Sequence, residues 1–183
     1  MDGGVSYQAF AKGLPAVAIH DIKIQKRENH LLLGTHGRSI YRADITPIQS
    51  MEKGKSVQLF EVASIRKSPR WGNSFSMWRD PMEPEVKVPY FMDYAGKFSL
   101  VVKDASGKEL QRMPLLPQAG LGVATYDLTI TEKGKNALEK SNGELNIQKA
   151  KNGNYYLPKG TYTLALDGGG GNTQAATTTL EVK

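Results

Sequence analysis

Apolar residues in this chain come in short runs broken by glycine, proline and polar turn residues, a spacing that predicts strands rather than long helices. Val17, Ile19, Ile22 and Ile24 mark a first strand over 16–24, and the polar stretch from Lys26 to His30 ends it. Leu31 to Leu33 read as a second strand, broken by Gly34-Thr35-His36-Gly37, and the chain returns over 39–43. With breaks at Asp2-Gly3-Gly4 and Gly13-Leu14-Pro15, residues 1–49 read as an antiparallel meander. The pattern then lapses. Over 50–85, Val57 to Ile65 fits either a strand or an amphipathic stretch, and Pro69, Pro81 and Pro84 discourage regular elements. This segment reads as a linker strapped onto its neighbours through Trp71, Phe75 and Trp78.

Alternation resumes after residue 85. Strands are expected over 85–91, 97–103, 109–113, 124–130, 161–166 and 177–182, with a glycine-ended hairpin turn at Asp104 to Lys108. Tyr162, Leu164 and Leu166 are expected on one buried face, with the neighbouring threonines outward. The lysine-rich stretch from Thr131 to Lys149 reads as a surface insertion loop with a short helix near 135–140. About seven short strands in this span argue a β-sandwich over 86–183.

Composition narrows the chemistry. The 183 residues can bury a core without cross-links, and the absence of cysteine excludes disulfides, thiolate metal sites and a cysteine nucleophile. No apolar run approaches the roughly 20 residues of a membrane-spanning helix. Lys+Arg 24 against Asp+Glu 18 gives +6, which suits an anionic partner. That charge is spread along the chain, so nucleic acid is not an expected partner. The chain opens on a turn signal with no targeting segment before it, as the tail of something longer would.

Asp2-Gly3-Gly4-Val5-Ser6-Tyr7 fits Asp-x-Gly-x-Ser/Thr-Trp/Tyr and resembles the Asp-box of bacterial-neuraminidase-type repeats, found in sialidase-like and sortilin-type β-propellers. Gly13-Leu14-Pro15, Val17 to Asp21, Leu32 to Tyr41 and Asp44-Ile45 continue the resemblance to the last repeat of large bacterial propeller proteins of this group. Tyr7 stands where tryptophan is usual. The resemblance implies a structural role for Asp2, Gly4, Ser6 and Tyr7, with the Asp2 carboxylate accepting backbone N–H bonds in the turn. Gly96 to Asp104 with Gly107, Ala119-Gly120-Leu121 before Tyr126-Asp127-Leu128, and Leu157 to Leu164 resemble the Ig-like domain that caps such propellers, related to the flagellar-hook-capping type. Together the resemblances imply an all-β chain: a partial propeller blade over 1–49, a strap over 50–85 and an Ig-like β-sandwich over 86–183. They imply an extracytoplasmic protein whose partner is the remainder of its parent propeller, with open strand edges that allow homo-oligomers.

Catalytic chemistry is not expected of this stretch. A sialidase-like mechanism draws its arginines, its Tyr/Glu pair and its acid from several blades, and this chain has one at most. Arg38 and Tyr41 read as turn and strand residues, with Arg38 expected to pair with Asp44 or Asp21 or to bond turn carbonyls. His20, His30 and His36 show no metal-ligand spacing, and the glycines from Gly168 to Gly171 lack the lysine and helix of a phosphate loop, so neither metal nor cofactor is expected. Arg70, Trp71, Phe75 and Trp78 are the candidate ligand surface, for a glycan or a protein. The leading expectation is a non-catalytic structural or binding module. The alternatives are part of a glycosyl hydrolase whose catalytic residues lie in other blades, and an adhesion module.

Overall fold

The computed structural model describes Val5 and residues 13–74, 76–168 and 176–183. Asp2, Gly4, Ser6 and Tyr7 of the Asp-box and Phe75 of the strap lie outside the described residues. The chain is built of antiparallel sheets and divides into two compact units, residues 1–55 and 56–183.

In the first unit β1 (Ile19–Gln25), β2 (His30–Thr35) and β3 (Ile40–Asp44) form an antiparallel meander in that order. Its turns use positive φ at Asn29 (52°), Gly37 (70°) and Ser39 (98°). Cross-strand pairing sets Ile22 beside Leu33 and Tyr41, and Ile24 beside Leu31 and Ala43. Side chains alternate across a strand, so these six apolar residues share one face. The opposite face carries Lys23, Leu32 and Arg42, then Gln25, His30 and Asp44. Although the sheet is amphipathic, no strand residue of it is buried, and Ile22 and Ile24 are 58% and 55% exposed. A short helix, α1 (Thr46–Gln49), follows buried Ile45 and has proline in its first turn.

The second unit comprises β4 (Val57–Leu59), β5 (Val86–Met92), β6 (Phe98–Lys103), β7 (Glu109–Leu115), β8 (Gly120–Tyr126), β9 (Thr129–Ile130), α2 (Glu132–Ser141), β10 (Tyr155–Tyr156), β11 (Gly160–Asp167) and β12 (Thr177–Val182). One sheet has the order β4-β5-β8 and another the order β12-β11-β6-β7, while β9 pairs with β10. Alternating residues of both larger sheets meet in one core: Val88, Met92 and Tyr126 from the first, and Leu100, Val102, Leu164 and Leu180 from the second. Tyr162, Leu164 and Leu166 are buried together, as the alternation predicts.

Three features differ from the sequence reading. Residues 56–85 cluster with the second unit, where Trp71 packs into the core as expected of the strap, together with Val57, Leu59 and Val62, but Trp78, expected to pack with it, is instead 88% exposed. The expected strand over 124–130 is broken at Leu128, which is fully buried at φ 61°. There the Asp127 carboxylate accepts from the Thr129 N–H (3.0 Å) and hydroxyl (2.7 Å), turning the chain out of β8 toward β10. Finally, the 131–149 stretch is no mere surface loop. Thr131 caps α2 by accepting from the Gly134 N–H at 3.0 Å, and its own N–H and hydroxyl both donate to the Leu110 carbonyl at 3.0 Å. A Cβ at Gly134 would collide with the Leu110 backbone, so only glycine lets the helix approach β7 this closely. Leu138 and Ile147 then close one side of the core.

Two phenols are held inside this unit. Tyr126 donates to the Thr129 carbonyl and Tyr162 to the Pro158 carbonyl, each at 2.8 Å. Burial raises both pKa values, helped by the Asp127 charge near Tyr126 and the Asp104 charge near Tyr162. In the unfolded chain a tyrosine ionises near about 10. Their contribution to stability is therefore complete below about pH 10 and is lost as pH rises beyond it. Urea unfolding should show Tyr162→Phe less stable than the parent by about 1 kcal/mol at neutral pH, with the gap closing above about pH 10. A gap independent of pH would contradict this account.

Candidate functional site

The strap residues build the most distinctive surface of the second unit. Ile65 runs parallel to Val182, with its N–H on the Glu181 carbonyl (3.0 Å) and its carbonyl accepting from the Lys183 N–H (2.8 Å). The Lys67 N–H then donates to the Lys183 carbonyl at 2.7 Å. This lacing delivers Trp71 into the core, 3% exposed, with its ring 6.0 Å from that of Tyr156. The Lys67 ammonium covers the indole at 4.3 Å and donates to the Leu157 carbonyl at 2.9 Å. Burial lowers the Lys67 pKa to about 8.

Beyond Trp71 the chain leaves the core and returns to it. The Gly72 N–H donates to the Met82 carbonyl (2.8 Å) and the Met82 N–H to the Asn73 carbonyl (3.1 Å), closing the base of a loop. Asn73 braces that base through its amide on the Pro69 carbonyl (2.9 Å) and its oxygen under the Lys151 N–H (3.2 Å). Gly72 has φ 71°, and a Cβ there would overlap Asn152, Ala150 and Tyr156. The base is therefore tightly held, while Met77 and Trp78 stand 87% and 88% exposed near the tip.

The sequence-predicted ligand surface is thus divided. Trp71 is a core residue whose indole is covered by Lys67 and Tyr156, leaving no face for a ligand. Trp78 is fully presented, Arg70 is exposed, and Phe75 lies outside the described residues. Periodicity could not separate the two tryptophans, because both sit in a proline-broken stretch with no regular element.

Elsewhere the ionisable groups serve local structure. Burial pushes the Asp104 carboxyl up, but bonds from the Ser106 hydroxyl and the Lys108 and Ser106 N–H groups outweigh it and hold its pKa below the ordinary value. Hydrogen bonds from Arg112 lower the pKa of Glu109, and Arg112 also reaches Asp167. The expected Arg38 pairing is replaced: Asp21 accepts from the Ile22 N–H and faces Lys23, while Asp44 accepts from the Thr46 N–H. Histidine placement was missed by spacing. His20 and His36 are brought together with ring centres 5.1 Å apart, whereas His30 sits at the far end of β2. Among the described residues no group of three or more His, Asp or Glu is placed to hold a metal ion, and no helix is long and apolar enough to cross a membrane.

Comparison with protein-family models, with curated proteins and with solved structures found no match to this chain.

The two tryptophans give a direct check. With Trp78→Phe, the remaining Trp71 emission should be blue-shifted and protected from acrylamide; with Trp71→Phe, the Trp78 emission should be red-shifted and readily quenched. Trp71→Ala should cost about 3–5 kcal/mol in denaturant unfolding. Trp78→Ala should change stability by less than about 0.5 kcal/mol.

Proposed function

We propose that the chain is a non-catalytic structural and binding module from the C-terminal part of an exported bacterial propeller protein. Residues 1–55 carry the last piece of a propeller, and residues 56–183 carry the Ig-like β-sandwich that caps it. The observation behind this reading is the one-sided face formed by Ile22, Ile24, Leu31, Leu33, Tyr41 and Ala43, with both isoleucines more than half exposed. An amphipathic sheet needs a second layer to bury its apolar face. A neighbouring sheet of the parent propeller is the layer that the Asp-box resemblance supplies.

Two features of the second unit support the Ig-like part. Its strand orders, β4-β5-β8 and β12-β11-β6-β7, suit a two-sheet Greek-key sandwich. Tyr162 lies near the start of β11 and donates to the carbonyl of Pro158, four residues upstream. A tyrosine so placed, bonded to backbone just before its own strand, is a recurring feature of Ig-type sandwiches. Trp78, held out on a braced loop next to exposed Arg79, with exposed Arg70 at the loop's base, is the surface for a glycan or protein ligand.

Amide hydrogen exchange tests the propeller reading. In the 183-residue chain β1–β3 should exchange on the order of a hundredfold faster than β5, β6 and β11, and should gain protection when the preceding repeats of the parent are joined to it. Equal protection of β1–β3 in a monomer of this chain would show that their face needs no partner and would overturn the reading. The non-catalytic part is tested separately with a chromogenic sialoside: turnover by the 183 residues alone would assign hydrolysis to this chain.

A further inference from the structure

His20 is the odd residue of β1. Pairing steps from Ile19 opposite Thr35 to Asp21 opposite Gly34, which leaves His20 with no cross-strand partner of its own. An extra residue of this kind bends the strand and re-aims its side chain. The imidazole it re-aims lies 5.1 Å from that of His36, centre to centre, with the ring planes 32° apart. His36 is the first residue past β2, and its N–H donates to the Ala18 carbonyl at 3.1 Å, tying the two segments together beside the rings. The Thr35 N–H and hydroxyl both donate to the Ser39 carbonyl, at 3.3 and 2.6 Å, and close the turn on the other side. Both histidines are exposed.

We propose that His20 and His36 together chelate one divalent transition-metal ion of the imidazole-preferring class: copper, nickel or zinc. With metal–nitrogen bonds of about 2.0–2.1 Å, two imidazoles on one tetrahedral ion hold their ring centres roughly 5 Å apart. The observed centre-to-centre separation of 5.1 Å matches that distance, so rotation of the two exposed rings is enough to aim one nitrogen of each at a shared ion, with water in the remaining positions. The donor set selects the ion. Calcium and magnesium require oxygen ligands. The nearby Asp21 carboxylate is engaged by the Ile22 N–H and faces Lys23. Among ions that imidazole suits, copper binds most tightly. An ion held this way clasps the end of the β1–β2 pair and stabilises only the folded sheet.

The test is a titration of the whole chain with copper(II) chloride, read by NMR of the three histidine rings. Broadening should reach His20 and His36 together at the lowest copper ratios and spare His30. Competition with a copper chelator should show affinity falling at least tenfold in both His20→Asn and His36→Asn, with His30→Asn unchanged. Broadening led by His30, or equal affinity in all three variants, would overturn the site. Because wild-type broadening is itself a readout, the outcome does not depend on any variant folding.

Discussion

Burial of the Trp71 indole is the interaction on which most of the second unit depends. It fills the core between Tyr156 and the strap, and the Lys67 stem and ammonium seal it from outside. Once the ring is seated, the backbone on both sides of it is fixed. Upstream, the strap must run along the end of β12, where its N–H and carbonyl groups find partners at Glu181 and Lys183. Downstream, the chain must leave through the narrow gap at Gly72, under Asn152 and Tyr156. The loop bearing Trp78 therefore rises from a base set by packing, so one tryptophan positions the other.

The two units handle apolar surface in opposite ways. In residues 56–183 both sheets turn alternating residues toward a common core, and α2 closes one side of it. No buried side-chain nitrogen or oxygen of the described residues lacks a hydrogen-bond partner, as a self-sufficient core requires. In residues 1–55 the alternation is as clean, yet the apolar face stays largely accessible, and among the described residues Ile45 is the buried hydrophobic one. A sheet of three short strands gains little from burial on its own, since each fully buried aliphatic side chain contributes only about 1.5–3 kcal/mol.

Strand positions were largely legible in the sequence because period-two alternation and glycine- or proline-marked turns are local signals. The meander of β1–β3 and the hairpin at Asp104 are of this kind. What was not legible depends on tertiary context. Leu128 breaks an alternating run because Asp127 turns the chain, and nothing in the alternation marks that choice. The polar helix α2 reads as solvent-facing until Gly134 and Leu138 meet β7 and the core. Trp71 and Trp78 have similar neighbours along the chain, and only packing against Tyr156 sends the first inward. His20 and His36 lie far apart in sequence and meet because an extra residue in β1 shifts one of them out of register.

The parallel lacing of Ile65 to Val182 has a mechanical meaning. Tension carried through the second unit enters ahead of the strap and leaves past β12, so these neighbouring segments are pulled in opposite senses along a shared axis. The bonds joining Ile65 to Glu181 and Lys183, and Lys67 to Lys183, then bear the load side by side in shear instead of opening one after another. A contact that looks like a loose strap thus joins the β4–β5 pairing just ahead of it in resisting the unit's being drawn out.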